Sequence, residues 1–284
     1  MGFEGSLTVG VIGKTNAGKS TLVNALVGEK VSIVTPKKQT TRENILGILN
    51  LQDCQIVFVD TPGIHKTVDN MGRLMMKQVR SAKESVDLIL YVVDCTKPFD
   101  NFEYENLLDM SQNGDVILVL SKVDIGGFEK VYPLIEKFKS LKNLVDIVPI
   151  SAKNNKNLDI LLGILKKKLV KTNEEDLFFD RDTYTDKSVR FMCGEIVREK
   201  ILVNLDDEIP FGVLIEVTNF SESKNLVEVD VDVIAKRQSH KAIIIGKNGQ
   251  MLKKISSQAR ADMEKLLDKK VMLKIYVATR EQKG

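Results

Sequence analysis

The 284-residue sequence predicts an α/β protein of two units: a mostly parallel sheet flanked by helices over residues 1–170, and a smaller α+β module of order α-β-β-α-α-β over residues 187–284, with a linker at 171–186. Three observations carry this expectation. Short β-branched runs alternate with amphipathic stretches through the first 170 residues, which is the pattern of βαβ units. A glycine-rich turn, Gly13 to Ser20, separates a largely apolar run from a helical one. Between 169 and 186 acidic and polar residues break the periodicity, and the length suits two domains.

Taken in order, Leu7 to Ile12 reads as the first strand and Lys19 to Val27 as the helix that follows the turn. Further strands are expected at Ile45 to Asn50, Gln55 to Asp60, Leu88 to Asp94, Val116 to Leu120 and Val145 to Pro149. Helices are expected at Arg73 to Glu84, Phe102 to Ser111, Phe128 to Lys139 and Leu158 to Lys168. In the second unit Lys187 to Leu202 reads as a helix, and Phe211 to Phe220 and Asn225 to Ala235 as strands paired around Ser221 to Lys224. An apolar, Gly-rich element at Ile243 to Gly249, a helix to Leu267 and a strand at Val271 to Ala278 close the unit.

Composition narrows the class. Hydrophobic content of 43% and charged content of 29% are ordinary, and apolar stretches such as Leu88 to Val93 are far below the roughly 20 residues a membrane helix needs. No positively charged segment leads into a long apolar one at the N-terminus, so a cytoplasmic location is expected. Cys54, Cys95 and Cys193 are odd in number and widely spaced, which argues against a disulfide framework or a zinc site. The net charge of +3 conceals segregation. Residues 171–235 hold 7 Lys and Arg against 16 Asp and Glu, whereas 236–280 hold 12 against 3. A basic C-terminal region of that density suits a polyanion.

Gly13-Lys14-Thr15-Asn16-Ala17-Gly18-Lys19-Ser20 is a complete G-x-x-x-x-G-K-S phosphate loop. Its glycines let successive N–H groups face phosphate oxygens, and the following helix start adds a favourable dipole. Lys19 reaches the β- and γ-phosphates, Ser20 offers a hydroxyl to Mg²⁺, and Ala17 and Thr21 complete the cradle. Asp60-Thr61-Pro62-Gly63 ends an apolar strand, where α/β sheets bind ligands; Asp60 can hold Mg²⁺ through water and the Gly63 N–H can meet the γ-phosphate. Ser121-Lys122-Val123-Asp124 follows another strand. The Asp124 carboxylate can accept from the ring N–H and amine that guanine has and adenine lacks. Lys122 can lay its stem along the base, and Ser151-Ala152-Lys153 can offer a backbone N–H to the guanine carbonyl.

This set resembles the translation-factor-related small GTPases, whose base motif is normally Asn-Lys-x-Asp; here Ser121 stands for the Asn. The resemblance implies that Thr41, with Thr40 as its neighbouring alternative, completes the Mg²⁺ shell in the Lys37 to Arg42 switch. Ile64 stands where many of these enzymes place a Gln. In families with a hydrophobic residue there, an Asn matching Asn16 helps hold a K⁺ ion, so Lys19, Asn16, Thr41 and Gly63 are the catalytic candidates.

Gly246-Lys247-Asn248-Gly249, with Leu252 and Ile255 at helical spacing, resembles the G-x-x-G core of a KH domain, a single-strand RNA grip in which glycines admit the nucleic-acid backbone. Lys253 and Lys254 add charge. A GTPase domain, an acidic linker and such a module, together with QTTR at 39–42, DTPGIH at 60–65 and RFMCGEIVREK at 190–200, resemble the Era family. That resemblance implies GTP/GDP and Mg²⁺ as ligands, binding to the 3′ end of 16S rRNA and the 30S ribosomal subunit, a monomer, and some association with the cytoplasmic face of the inner membrane. The family's longer C-terminal tail is not matched beyond Arg280 to Gly284. A second reading, from Ser121 and the absent Gln, is a nucleotide-responsive RNA chaperone with negligible hydrolysis.

Overall fold

The computed structural model describes residues 3–37, 40–63, 86–139, 141, 144–206 and 209–279. The helix expected at Arg73 to Glu84 and the position Ile64 lie outside the described residues. By internal contacts the chain divides into one unit of Met1–Ser32 with Thr41–Asp186, and a second of Ile33–Thr40 with Lys187–Gly284. No helix among the described residues is long and apolar enough to cross a membrane.

In the first unit β1 (Gly5–Ile12), β2 (Ile45–Asn50), β3 (Cys54–Asp60), β4 (Leu88–Asp94), β5 (Val116–Ser121) and β6 (Leu144–Pro149) form one sheet of order β2-β3-β1-β4-β5-β6. All neighbours run parallel except β2, which is antiparallel to β3. Strands covered on both faces need apolar side chains at every position, which is why they read as continuous runs. Alternation then sorts them: Leu88, Leu90 and Val92 of β4 join the cluster of α1 (Lys19–Val27), while Ile89, Tyr91 and Val93 join that of α2 (Asn101–Asn113). A one-turn helix, α3 (Val123–Gly126), precedes α4 (Phe128–Phe138), and α5 (Leu158–Lys166) packs on the α1 side. Asp100 caps α2 with a reciprocal capping box to Glu103.

Residues 171–186, read from sequence as a linker, run along the open edge of β2. Ile48 N–H donates to Tyr184 O at 2.9 Å and Leu46 N–H to Asp186 Oδ1 at 2.9 Å. Asn50 Nδ2 donates to Thr183 O and Gln55 Nε2 to Phe179 O. An edge strand exposes unpaired backbone groups, and this segment satisfies them.

The second unit contains α6 (Val189–Asn204), β7 (Leu214–Glu222), β8 (Leu226–Ala235), α7 (Gln238–Ile245), α8 (Gln250–Leu267) and β9 (Lys270–Thr279). The sheet order is β7-β8-β9, with β7–β8 antiparallel and β8–β9 parallel. Val227, Val229, Val231 and Val233, the alternate residues of central β8, are fully buried against Ile196 and Val197 of α6 and Ile255 and Ala259 of α8. Each such side chain stabilises by roughly 1.5–3 kcal/mol. The strand expected at Phe211 starts at Leu214, because Ile209–Gly212 forms a 3₁₀ turn. The element expected at Ile243 begins earlier, as the helix α7 from Gln238. Val34 N–H, in the chain segment that packs with this unit, donates to Glu199 Oε1 of α6 at 3.0 Å.

Candidate nucleotide site and nucleic-acid surface

The sheet order reverses around β1, and the carboxyl ends of β1, β3, β4, β5 and β6 bring Gly13, Asp60, Asp94, Ser121 and Ser151 to one edge. That crevice is where open α/β sheets take ligands. The turn after β1 is glycine-dependent for a packing reason. Gly13 has φ +152, and a Cβ there would lie 2.2 Å from Val92 O; Gly18 has φ +100. Lys19, at the first turn of α1, is 6% exposed, and its ammonium donates to Gly13 O and Lys14 O, both at 3.0 Å. Burial lowers its pKa to about 8, opposed only by the charge of Asp60.

Ser20 Oγ and Thr41 Oγ1 share a hydrogen bond of 3.0 Å, whereas Thr40 Oγ1 bonds Thr35 and donates to Lys37 O. The expected pairing therefore falls on Thr41. Asp60 is wholly buried, and neither carboxylate oxygen has a hydrogen-bond partner among the described residues. Burial pushes its pKa up, while Ser20, Lys19 and Ser32 pull the other way without completing a hydrogen bond to it. A buried carboxylate without donors is costly unless a cation joins it. With two hydroxyls beside it, the set Ser20, Thr41 and Asp60 has the oxygen chemistry of a Mg²⁺ site. Gly63 is required by close approach, since a Cβ there would lie 2.6 Å from Thr15 N.

The base-side residues are tied to the phosphate loop. Ser121 Oγ, 3% exposed, donates toward Ala17 O, with Val93 O also within 3.0 Å. Lys122, in the left-handed region at φ 62, donates to Asn16 O at 2.7 Å and pairs with Asp94 at 2.8 Å. Asp94 is held below the ordinary carboxylate range, since the bonds from Lys122 and Thr96 outweigh its burial. Asp124 lies exposed in α3, and Val123 N–H donates to Ile150 O at 3.2 Å, which joins this turn to Ser151, Ala152 and Lys153. Ser151 is closed by a two-way bridge with Lys156, while Lys153 is exposed.

In the second unit the turn between α7 and α8 places Gly246, Asn248 and Gly249 all at positive φ. A Cβ on Gly246 would lie 2.7 Å from Met251 Cβ, so the turn closes against α8; one on Gly249 would meet nothing within 4 Å. Lys247, Asn248, Lys253 and Lys254 are exposed, as is Ile243. Backbone and cations are thus presented together on an open surface, with an apolar residue beside them.

Residues 8–122 match the family described as 50S ribosome-binding GTPase, and residues 208–282 match the KH domain. GTPase Era of Caldanaerobacter subterraneus subsp. tengcongensis is 43% identical over 279 residues, covering 96% of this chain and 92% of that protein. The chain belongs to the Era family. GTPase Era of Clostridium botulinum strain Eklund 17B is 42% identical over 96% of the chain. Among solved structures, Era in complex with MgGDPNP and nucleotides 1506–1542 of 16S ribosomal RNA superposes with a TM-score of 0.84 at 36% identity, covering 97% of this chain and 94% of that one. A variant of Aquifex aeolicus Era bound to GDP and AlF4⁻ gives 0.86 at 35%, with the same coverage. The architecture is accordingly that of the Era family, a P-loop GTPase domain with a mostly parallel sheet followed by a KH domain.

Against that Era framework, three polar contacts escaped the sequence reading. Asp94 holds Lys122; its position at the end of an apolar strand, like that of Asp60, was the available signal. Lys14 pairs with Asp100 at 2.7 Å and Glu103 at 3.1 Å, anchoring the phosphate loop to the start of α2. Asn24 clasps the chain at Val31 and Ser32. The last two have no local signature.

Proposed function

We propose that this chain is a GTP-binding and GTP-hydrolysing switch that binds the 3′ end of 16S rRNA and the small ribosomal subunit and acts in 30S assembly. The observation that carries the nucleotide half is the meeting, at one sheet edge, of a buried Lys19, the Ser20–Thr41 hydroxyl pair, the unpartnered Asp60 and the base loop around Lys122. The loop amides from Gly13 to Thr21 cradle the phosphates, Lys19 counters their charge, and Asp124 accepts from the guanine edge. Ser20, Thr41 and Asp60, the last through water, would hold Mg²⁺, which when bound neutralises charge between the β- and γ-phosphates. Asn16, at φ 62 within the loop, is our candidate for a K⁺ ligand, and the Gly63 N–H for the γ-phosphate. The open Gly246-Lys247-Asn248-Gly249 turn with Lys253 and Lys254 is the RNA grip. The setting is the cytoplasm, with peripheral contact at the membrane face, and the chain acts as a monomer.

Steady-state GTP turnover, measured with and without small subunits in K⁺ or Na⁺ buffer, tests this reading. Turnover that small subunits change, and that K⁺ raises over Na⁺, is the expected result. No turnover under any condition would leave an RNA-binding module without hydrolysis, the reading that Ser121 in place of Asn favours.

A further inference from the structure

Ser32 lies outside every motif named above, yet it is built into the same pocket. The residue is 1% exposed, and its Oγ has no hydrogen-bond partner among the described residues. A buried hydroxyl left unpaired costs about 1–3 kcal/mol, so its placement calls for a reason. Asn24 supplies the placement. Its Oδ1 accepts from Val31 N–H at 3.0 Å and Ser32 N–H at 2.9 Å, and its Nδ2 donates to Ser32 O at 2.7 Å. Asn24 stands four residues after Ser20 on α1, so the two side chains project from one helix face. Ser32 is thereby fixed to the helix that carries Ser20, with its hydroxyl on the side of Asp60, whose two oxygens are equally unpartnered.

We propose that Ser32, clasped by Asn24, is a positioning residue for the divalent metal: its hydroxyl orients the Asp60 carboxylate toward the cation held at Ser20 and Thr41. This rests on the Mg²⁺ reading given above. Groups that hold a metal-bound carboxylate in place matter nearly as much as the ligands, and losing one typically costs about 10–100-fold in metal affinity. Three hydrogen bonds from one Asn make the hydroxyl a fixed partner rather than a rotating surface group. Chain continuity adds a second effect, since Ser32 marks the end of the first unit's N-terminal segment and Thr41 the point where the chain rejoins that unit.

The test is a Mg²⁺ titration of the full-length protein saturated with a fluorescent GDP, alongside GDP affinity in EDTA. Ser32→Ala should weaken Mg²⁺ affinity by about 10–100-fold and leave GDP affinity in EDTA unchanged, and Ser32→Thr, which keeps the hydroxyl, should restore most of it. Asn24→Ala should give a smaller loss of the same kind. Mg²⁺ affinity within twofold of the parent protein for Ser32→Ala would overturn the proposal. So would an equal loss of GDP affinity with and without Mg²⁺, because that signals only a disturbed fold. Ser20→Ala is the separate control: if it leaves Mg²⁺ affinity unmoved, the metal site itself has been misplaced.

Discussion

Two glycine turns in this molecule meet phosphate in opposite ways. The turn at Gly13 to Ser20 is enclosed: a Cβ on Gly13 would strike Val92 O, and Lys19 is buried with two of its donors spent on loop carbonyls. The turn at Gly246 to Gly249 is open on one side, with space at Gly249 and exposed lysines around it. An enclosed turn suits a compact, highly charged group that ends inside the site. An open turn suits a chain of phosphates that continues past it. The lesson is that the glycines do different work: in the first they let protein pack on protein, and at Gly249 they leave room for a partner.

The largest effect should come from breaking the enclosed turn. Gly13→Ala forces a methyl into the Val92 carbonyl at a backbone angle that side chains rarely adopt, so nucleotide binding by calorimetry should fall more than 100-fold and the melting temperature should drop. Retained GTP affinity would remove the packing argument. Next, Gly246→Asp together with Gly249→Asp should reduce binding of a 16S 3′-end oligonucleotide at least tenfold, through crowding against Met251 and repulsion, while GDP affinity stays the same. Co-loss of GDP binding would show that the two turns are not independent.

The smallest effect sharpens the contrast through pH. Lys19 sits at about 8, below the ordinary 10.5, so between those values the unfolded chain holds more protons than the folded one. Stability of the nucleotide-free protein should therefore rise with pH across that window, by at most ~3 kcal/mol. Nucleotide binding runs the other way, because phosphate requires the ammonium: GDP affinity should fall about fivefold from pH 8 to pH 9. RNA affinity, carried by exposed lysines, should stay level over the same range. A flat GDP profile would mean that the Lys19 ammonium contributes little.

Much of this was legible in the sequence, for reasons that differ by region. Strands β3, β4 and β5 announced themselves because burial on both faces demands unbroken apolar runs, and Lys19, Ser20 and Asp60 because their spacing along the chain is set by phosphate geometry. Helix α7 began earlier than read, because Gln238, Ser239 and His240 show no apolar period and Arg237 makes no side-chain cap. The role of residues 171–186 along β2 was invisible for another reason. Its bonds are mostly to backbone, which any composition can make. Ser32, Asn24 and Asp94 were missed because their partners are distant in the chain or spaced outside any familiar motif.

The bonds from Ser121 to Ala17 and from Lys122 to Asn16 bear on kinetics. They clamp the loop that reads the base onto the loop that holds the phosphates, so neither end of a nucleotide can be released by a local excursion of its own loop. Dissociation then becomes a single concerted event, and a guanosine half and a pyrophosphate half offered separately should bind far more weakly than their joined affinities suggest. Residence time, more than equilibrium occupancy, is what this cross-tie sets.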